Sequence, residues 1–177
     1  MYRNYNNQNW TKMTVTEVST VVSPTVEPID LQEAKNWLRI DNNDDDDRIT
    51  SLIVAARRRA ETHIKRDIVG KNRNVFWTVL NEDVNLPYTV DAISTITVDG
   101  AELTTDGYEL LGTGNAILRL NNYPAEKVEV TYTTSDYNNE EITNGILMCL
   151  EEMYYGNKTQ WKMLLGSFRT FAHYGVK

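Results

Sequence analysis

The chain has 177 residues, 41% of them hydrophobic, and carries 25 acidic against 18 basic side chains for a formal charge of -7 at pH 7. That length suits one domain with a sizeable core, and the acidic balance argues against a protein that coats nucleic acid through charge alone, because phosphate binding needs a basic footprint. The single cysteine, Cys149, excludes an intramolecular disulfide and supplies too few thiolates for a structural zinc site.

Residues 1–27 are rich in Asn, Thr and Ser, with scattered Tyr2, Tyr5, Trp10 and valines and no helical period, and read as an extended N-terminal arm ordered by a neighbour. They contain no apolar core of a signal peptide, and no later segment approaches membrane-spanning length. A protein that stays in the cytosol of the cell that makes it is expected.

The core begins at Ile29-Asp30-Leu31-Gln32-Glu33-Ala34. Asp30 is placed to cap a first turn, Glu33 to reach back to it, and Ile29 to staple onto Ala34, which predicts a short helix over 31–38. After Ile40 comes an acidic stretch, Asp41-Asn42-Asn43-Asp44-Asp45-Asp46-Asp47. Asp41, Asn43 and Asp45 alternate as in a calcium loop, but the glycine position holds Asp46 and the bidentate-glutamate position holds Leu52. The better reading is an acidic first turn, in which each carboxylate near free backbone N–H groups stabilises the helix by ~0.3–1 kcal/mol.

A long helix is predicted over 45–68, the stretch closing near Gly70, with Ile49, Leu52, Ile53, Ala56, Ala60 and Ile64 in one stripe and His63 at its edge. Arg48, Arg58, Arg59, Lys65 and Arg66 fall on the remaining faces, with Glu61 the main acidic exception. Such a basic back is either a solvated face or a contact surface for an acidic partner or a neighbouring copy.

From Asn74 the period is that of strands, at 75–80, 93–98, 108–111, 117–120 and 128–133, with turns at Asp99-Gly100 and over 112–115. Gly112-Thr113-Gly114 lacks the third glycine and following helix of a dinucleotide fingerprint and reads as a hairpin tip. The helical period returns over 140–155, where Ile142, Ile146, Cys149, Leu150 and Met153 share a face. Cys149 is central in that stripe, which makes its sulfur a small core group and not a nucleophile.

The last segment, 158–177, places Trp161, Leu164, Leu165 and Phe168 at helical spacing, with Arg169, Phe171 and Tyr174 beyond. A terminal segment this apolar either folds back on its own core or docks into a partner's groove, and docking is the reading preferred from sequence. The two histidines, His63 and His173, suggest no triad or metal constellation, so no catalytic, metal-ligating or cofactor-binding residue and no cofactor is assigned. A hydrolase would need a carboxylate pair facing across a cleft, which spacing alone does not reveal.

The expected fold class is α+β. A helical bundle core of short, long and later helices carries a small antiparallel β-sheet insertion over 28–157, with an extended arm at 1–27 and a docking segment at 158–177.

The order of these features resembles the head-tail connector, or adaptor, proteins of tailed bacteriophages from Pro28 to about Asn157. The most specific stretch is Ile29-Asp30-Leu31-Gln32-Glu33-Ala34-Lys35-Asn36-Trp37-Leu38-Arg39-Ile40-Asp41, then the acidic run, then Ile49-Thr50-Ser51-Leu52-Ile53-Val54-Ala55-Ala56-Arg57. Val84-Asn85-Leu86-Pro87, the strand before Asp99-Gly100 and Val128-Glu129-Val130-Thr131-Tyr132-Thr133 are further matches. Ser135-Asp136-Tyr137 departs from the alanine-glycine pair the family often has there, and the arm is longer than usual.

The resemblance implies a non-enzymatic virion protein of the neck, assembled in the host cytoplasm as a ring, typically a dodecamer. The ring would bind the portal protein and further neck or tail proteins and pass DNA through its lumen without sequence-specific binding, with no role for a membrane. It also implies a portal-binding tail, here Trp161, Leu164, Leu165, Phe168, Arg169 and Phe171. Candidate contacts between copies are Asp44, Asp45, Asp46 and Asp47 with Arg48, Arg58, Arg59 and Arg66. The alternative is a nucleic-acid-binding module that uses the basic face of the long helix at Arg57-Arg58-Arg59.

Overall fold

The structure, a computed structural model, describes residues 15–22, 24, 26–78, 83–112, 116–122 and 125–169, with the backbone alone for 15–22. The fold is α+β, as expected, with a helical part and a sheet part that each have their own apolar cluster.

The helical part comprises α1 (Leu31–Leu38), α2 (Asp46–Ile64), α3 (Glu140–Tyr155) and a short α4 (Trp161–Leu165) followed by a 3-10 turn over Gly166–Phe168. The Asp30 carboxylate accepts from the Glu33 N–H at 2.7 Å, as the capping pattern requires, and Ile29 and Ala34 are buried. The predicted stripe of α2 lies against α3: Ile49, Ile53, Ala56, Ala60, Ile64, Ile142, Ile146, Cys149 and Leu150 form one cluster. Asn139 caps α3 by accepting from the Ile142 N–H, and Gly156 ends it at φ +77°, a conformation that favours glycine.

The long helix stops at Ile64, short of the predicted 68, with Lys65 in the left-handed region at φ 58°. Its end is set by Glu61, whose carboxylate accepts from the Ile68 N–H at 3.0 Å in place of a helical carbonyl. Ile68 remains in the core, and the turn aims Asp67 at the sheet.

Among the described residues the sheet part forms two antiparallel sheets, where a small antiparallel insertion was expected. The larger orders β1 (Val15–Val22), β2 (Asn72–Trp77), β8 (Val128–Thr133), β4 (Ala92–Val98) and β5 (Ala101–Glu102) as β1-β2-β8-β4-β5; the smaller orders β3 (Val84–Asn85), β7 (Ile117–Leu120) and β6 (Tyr108–Leu111) as β3-β7-β6. Alternating Val75, Trp77, Val128, Val130 and Tyr132 of the first sheet meet Leu118 and Leu120 of the second. β1 lies in the stretch read as an arm; it is extended, but its partner is β2 of the same chain.

Between the two apolar clusters runs a chain of charges. Arg57, 1% exposed, holds Glu27 through two hydrogen bonds of 2.5 and 2.9 Å and Glu61 at 2.9 Å. Lys71 bridges Glu61 at 2.8 Å and Asp67 at 3.2 Å, and Asp67 accepts both a bidentate pair from Arg73 on β2 and the Thr134 hydroxyl at 2.8 Å. Arg73 also stacks on Tyr88, 3.5 Å from the ring centre. Burial alone would raise the Asp67 carboxyl, but Arg73, Lys71 and Thr134 outweigh it and hold the group below its ordinary value.

Because the folded Asp67 is the stronger acid, its stabilisation is full above the unfolded value of about 3.9 and is lost as pH falls through the folded one. Asp67→Asn leaves Arg73 buried without its counter-charge and is expected to cost about 3–5 kcal/mol at pH 7 in urea unfolding. The same variant should lose less stability than the parent when the pH is lowered below about 4.

Candidate functional site

The acidic turn is divided between internal and outward groups. Asp46 pairs with Lys35 at 2.7 Å, and Lys35 also donates to Asn43 at 2.7 Å, which ties the start of α2 to α1. Asp45 accepts from the Tyr154 hydroxyl at 2.5 Å and lies 3.9 Å from Arg48, which stacks over the Tyr154 ring and donates to its carbonyl. The bond to Asp45 raises the Tyr154 phenol above its ordinary value. Asp41, Asp44 and Asp47 stay exposed. Among the described residues no group of three or more His, Cys, Asp or Glu side chains is gathered as a metal ion would need.

The basic back of α2 is divided in the same way. Arg57 belongs to the buried charge chain, and Arg66 lies 3.6 Å from the centre of the Tyr137 ring. Of the Arg57-Arg58-Arg59 run, only Arg58 and Arg59 are exposed. Sequence spacing misses this because Arg57 is one turn before Glu61 at the edge of the buried stripe, and its counter-ion Glu27 is 30 residues away.

The C-terminal segment folds back. Trp161, 3% exposed, and Leu165, 0% exposed, are part of the helical core. Room for Leu165 comes from Gly145 on α3, where an added Cβ would stand 2.5 Å from the Leu165 side chain. Thr159 prepares the turn into α4 by bonding to the Met148 carbonyl at 3.0 Å and to Glu152 through its N–H. The docking reading thus loses Trp161 and Leu165 as free anchors, because their spacing of four turns both inward. Leu164 and Phe168 are half-buried, Phe168 edge-on to Tyr137, while Met163 is 73% exposed. Phe171 lies outside the described residues.

That return of the chain creates a site the sequence does not announce. Arg58, Arg59 and Lys65 from the C-terminal half of α2 meet Lys162 and Arg169 from the end of the chain around a cleft of about 460 Å³. His63 and Trp161 line it as well, packed edge-on at 5.4 Å, and His63 Nε2 bonds to the Lys162 carbonyl oxygen at 3.0 Å. The cleft is a concentration of positive charge on an acidic protein, suited to a carboxylate-rich or phosphate-bearing partner. Cys149 is near it but buried, and burial pushes its thiol up to about 11, against the pull of Arg59.

Residues 28–98 match the family model described as phage gp6-like head-tail connector protein. The match spans α1, the acidic turn, α2 and the first strands, and so covers the stretch that carries the resemblance read from sequence. The chain also folds like a subunit in the neck of an empty GTA particle with C6 symmetry, with TM-score 0.69 and 14% identity over 90% of this chain and 98% of that one. Similar chains occur in the virion of a native gene transfer agent (GTA) particle, TM-score 0.66 and 13% identity, and in the neck of a native GTA particle with C12 symmetry, TM-score 0.64 and 14% identity. Both likenesses again cover 90% of this chain and 98% of the other. No curated protein matches the chain.

Leu165→Ala empties the space beside Gly145 and is expected to cost about 2–5 kcal/mol in thermal or urea unfolding. Met163→Ala on the same helix should stay within about 0.5 kcal/mol. Hydrogen exchange over 159–169 should quicken in the first variant alone.

Proposed function

We propose that this chain is a structural subunit of a phage-like neck. Copies form a ring, typically a dodecamer, that binds below the portal protein, meets further neck or tail proteins, and lets DNA pass through its lumen without sequence-specific contacts. The place of action is the virion neck, reached after assembly in the host cytoplasm, and the role is mechanical rather than enzymatic. Among the described residues no helix is long and apolar enough to cross a membrane.

The observation that carries the reading is the joint one: a match to the connector family model over 28–98, together with a fold shared with nearly the whole length of a chain from a GTA neck. A chain selected for such a role needs a stiff body and terminal segments that engage partners. The buried charge chain and the α2–α3 cluster supply the body here.

In this account the portal contact is made by the last segment. Trp161 and Leu165 fix its base in the core, and Leu164, Phe168, Arg169 and Phe171 meet the portal. Aromatic and arginine side chains of this kind dominate protein interfaces. The phosphate-binding alternative is weakened because Arg57 already has two carboxylate partners.

Removing residues 170–177 should reduce binding to isolated portal rings about tenfold or more, with thermal unfolding little changed. Full binding by that variant would contradict the assignment of the tail. Phosphate binding predicts instead a steep loss of affinity for duplex DNA with salt, and a connector should lack one.

A further inference from the structure

We propose that the basic cleft at the C-terminal end of α2 receives the acidic turn at the N-terminal end of α2 from the next copy in the ring. The inference rests on the connector reading and names the surfaces that join one subunit to its neighbour.

Internal pairing decides which charges are available. Asp45, Asp46, Arg48, Arg57 and Arg66 are already engaged within the chain, so they drop out of the candidate contact. What remains on one side is Asp41, Asp44 and Asp47, all exposed, on a turn pinned to α1 and α3 by the Asp46–Lys35 and Asp45–Tyr154 bonds. On the other side Arg58 and Lys65, also exposed, are joined by Lys162 in a concave site, while Arg59 beside them already interacts with Glu152 and the Cys149 thiol. The acidic turn and the basic recess complement each other in charge.

The two surfaces lie at opposite ends of one straight element. Asp47 and Lys65 are separated by about 27 Å along α2 at the usual helical rise. A surface at one end that fits its complement at the other makes a head-to-tail contact, which builds closed rings or open filaments and not two-fold dimers. The contact would run α2 along the circumference of the ring. It also gives Lys162 a purpose: the returning C-terminal segment supplies one wall of the neighbour's seat.

The test is a charge exchange in the full chain. Arg58→Glu with Lys65→Glu should raise the concentration needed for ring formation about tenfold or more, and so should Asp44→Lys with Asp47→Lys. All four substitutions together should recover assembly in part, because the exchanged positions then pair opposite charges again. Assembly is followed by analytical ultracentrifugation and by electron microscopy, alone and on isolated portal rings, with circular dichroism as a check that these exposed substitutions leave the fold intact. Lys162→Glu alone should weaken assembly in the same sense.

Rings that survive either pair of substitutions, or a four-fold variant that fails to assemble, would overturn the proposed contact while leaving the connector reading in place. Loss of portal or DNA binding by the cleft variant with its rings intact would also overturn it, and would assign the cleft to a different acidic partner. Absence of rings in the unaltered chain, with or without the portal, would instead remove the connector reading itself.

Discussion

The structure depends on one buried polar constraint, the chain of charges from Glu27 through Arg57, Glu61, Lys71 and Asp67 to Arg73. It lies where the helical cluster meets the sheet cluster, a boundary that neither apolar core covers by itself. Ion pairs removed from water gain little net stability over an apolar replacement, but removing a single member leaves a charge stranded. Such a chain therefore acts as a register. It fixes where α2 must stop, how β2 enters the sheet, and where the segment before α1 crosses the helix.

Several consequences follow from that register. Glu61 takes the Ile68 N–H and ends α2 early, so Asp67 faces Arg73 instead of continuing a helix. Arg57 turns inward, which leaves Arg58 and Arg59 as the outward part of a run that looks uniformly basic. The same distinction holds at the acidic turn, where Lys35 and Tyr154 retain two aspartates and the others face solvent. Function at a subunit surface depends on such remainders, because only a charge without an internal partner gives its full field to a neighbour.

Much of the fold was legible in the sequence because periodicity records burial. The stripe from Ile49 to Ile64, the cap at Asp30, the strands at 108–111, 117–120 and 128–133 and the core placement of Cys149 all follow from spacing and local chemistry. The Glu27–Arg57 pair, the β1–β2 pairing and the Leu165–Gly145 contact were not legible, since each joins residues that only tertiary structure brings together. The basic cleft is missed for the same reason. Arg58 and Lys162 are far apart in the chain, and they meet only because α4 returns over α3 and α2. The helical spacing of Trp161 and Leu165 was visible, but spacing does not distinguish a face that meets its own core from one that meets a partner.

The proposed neck role draws on an α+β body with a returning C-terminal segment and opposite charges at the two ends of α2. The most direct test of that account is electron microscopy of the unaltered chain mixed with isolated portal rings. The account predicts a closed ring of copies, coaxial with the portal and seated on its lower face. Portal rings that remain bare at saturating protein would contradict it.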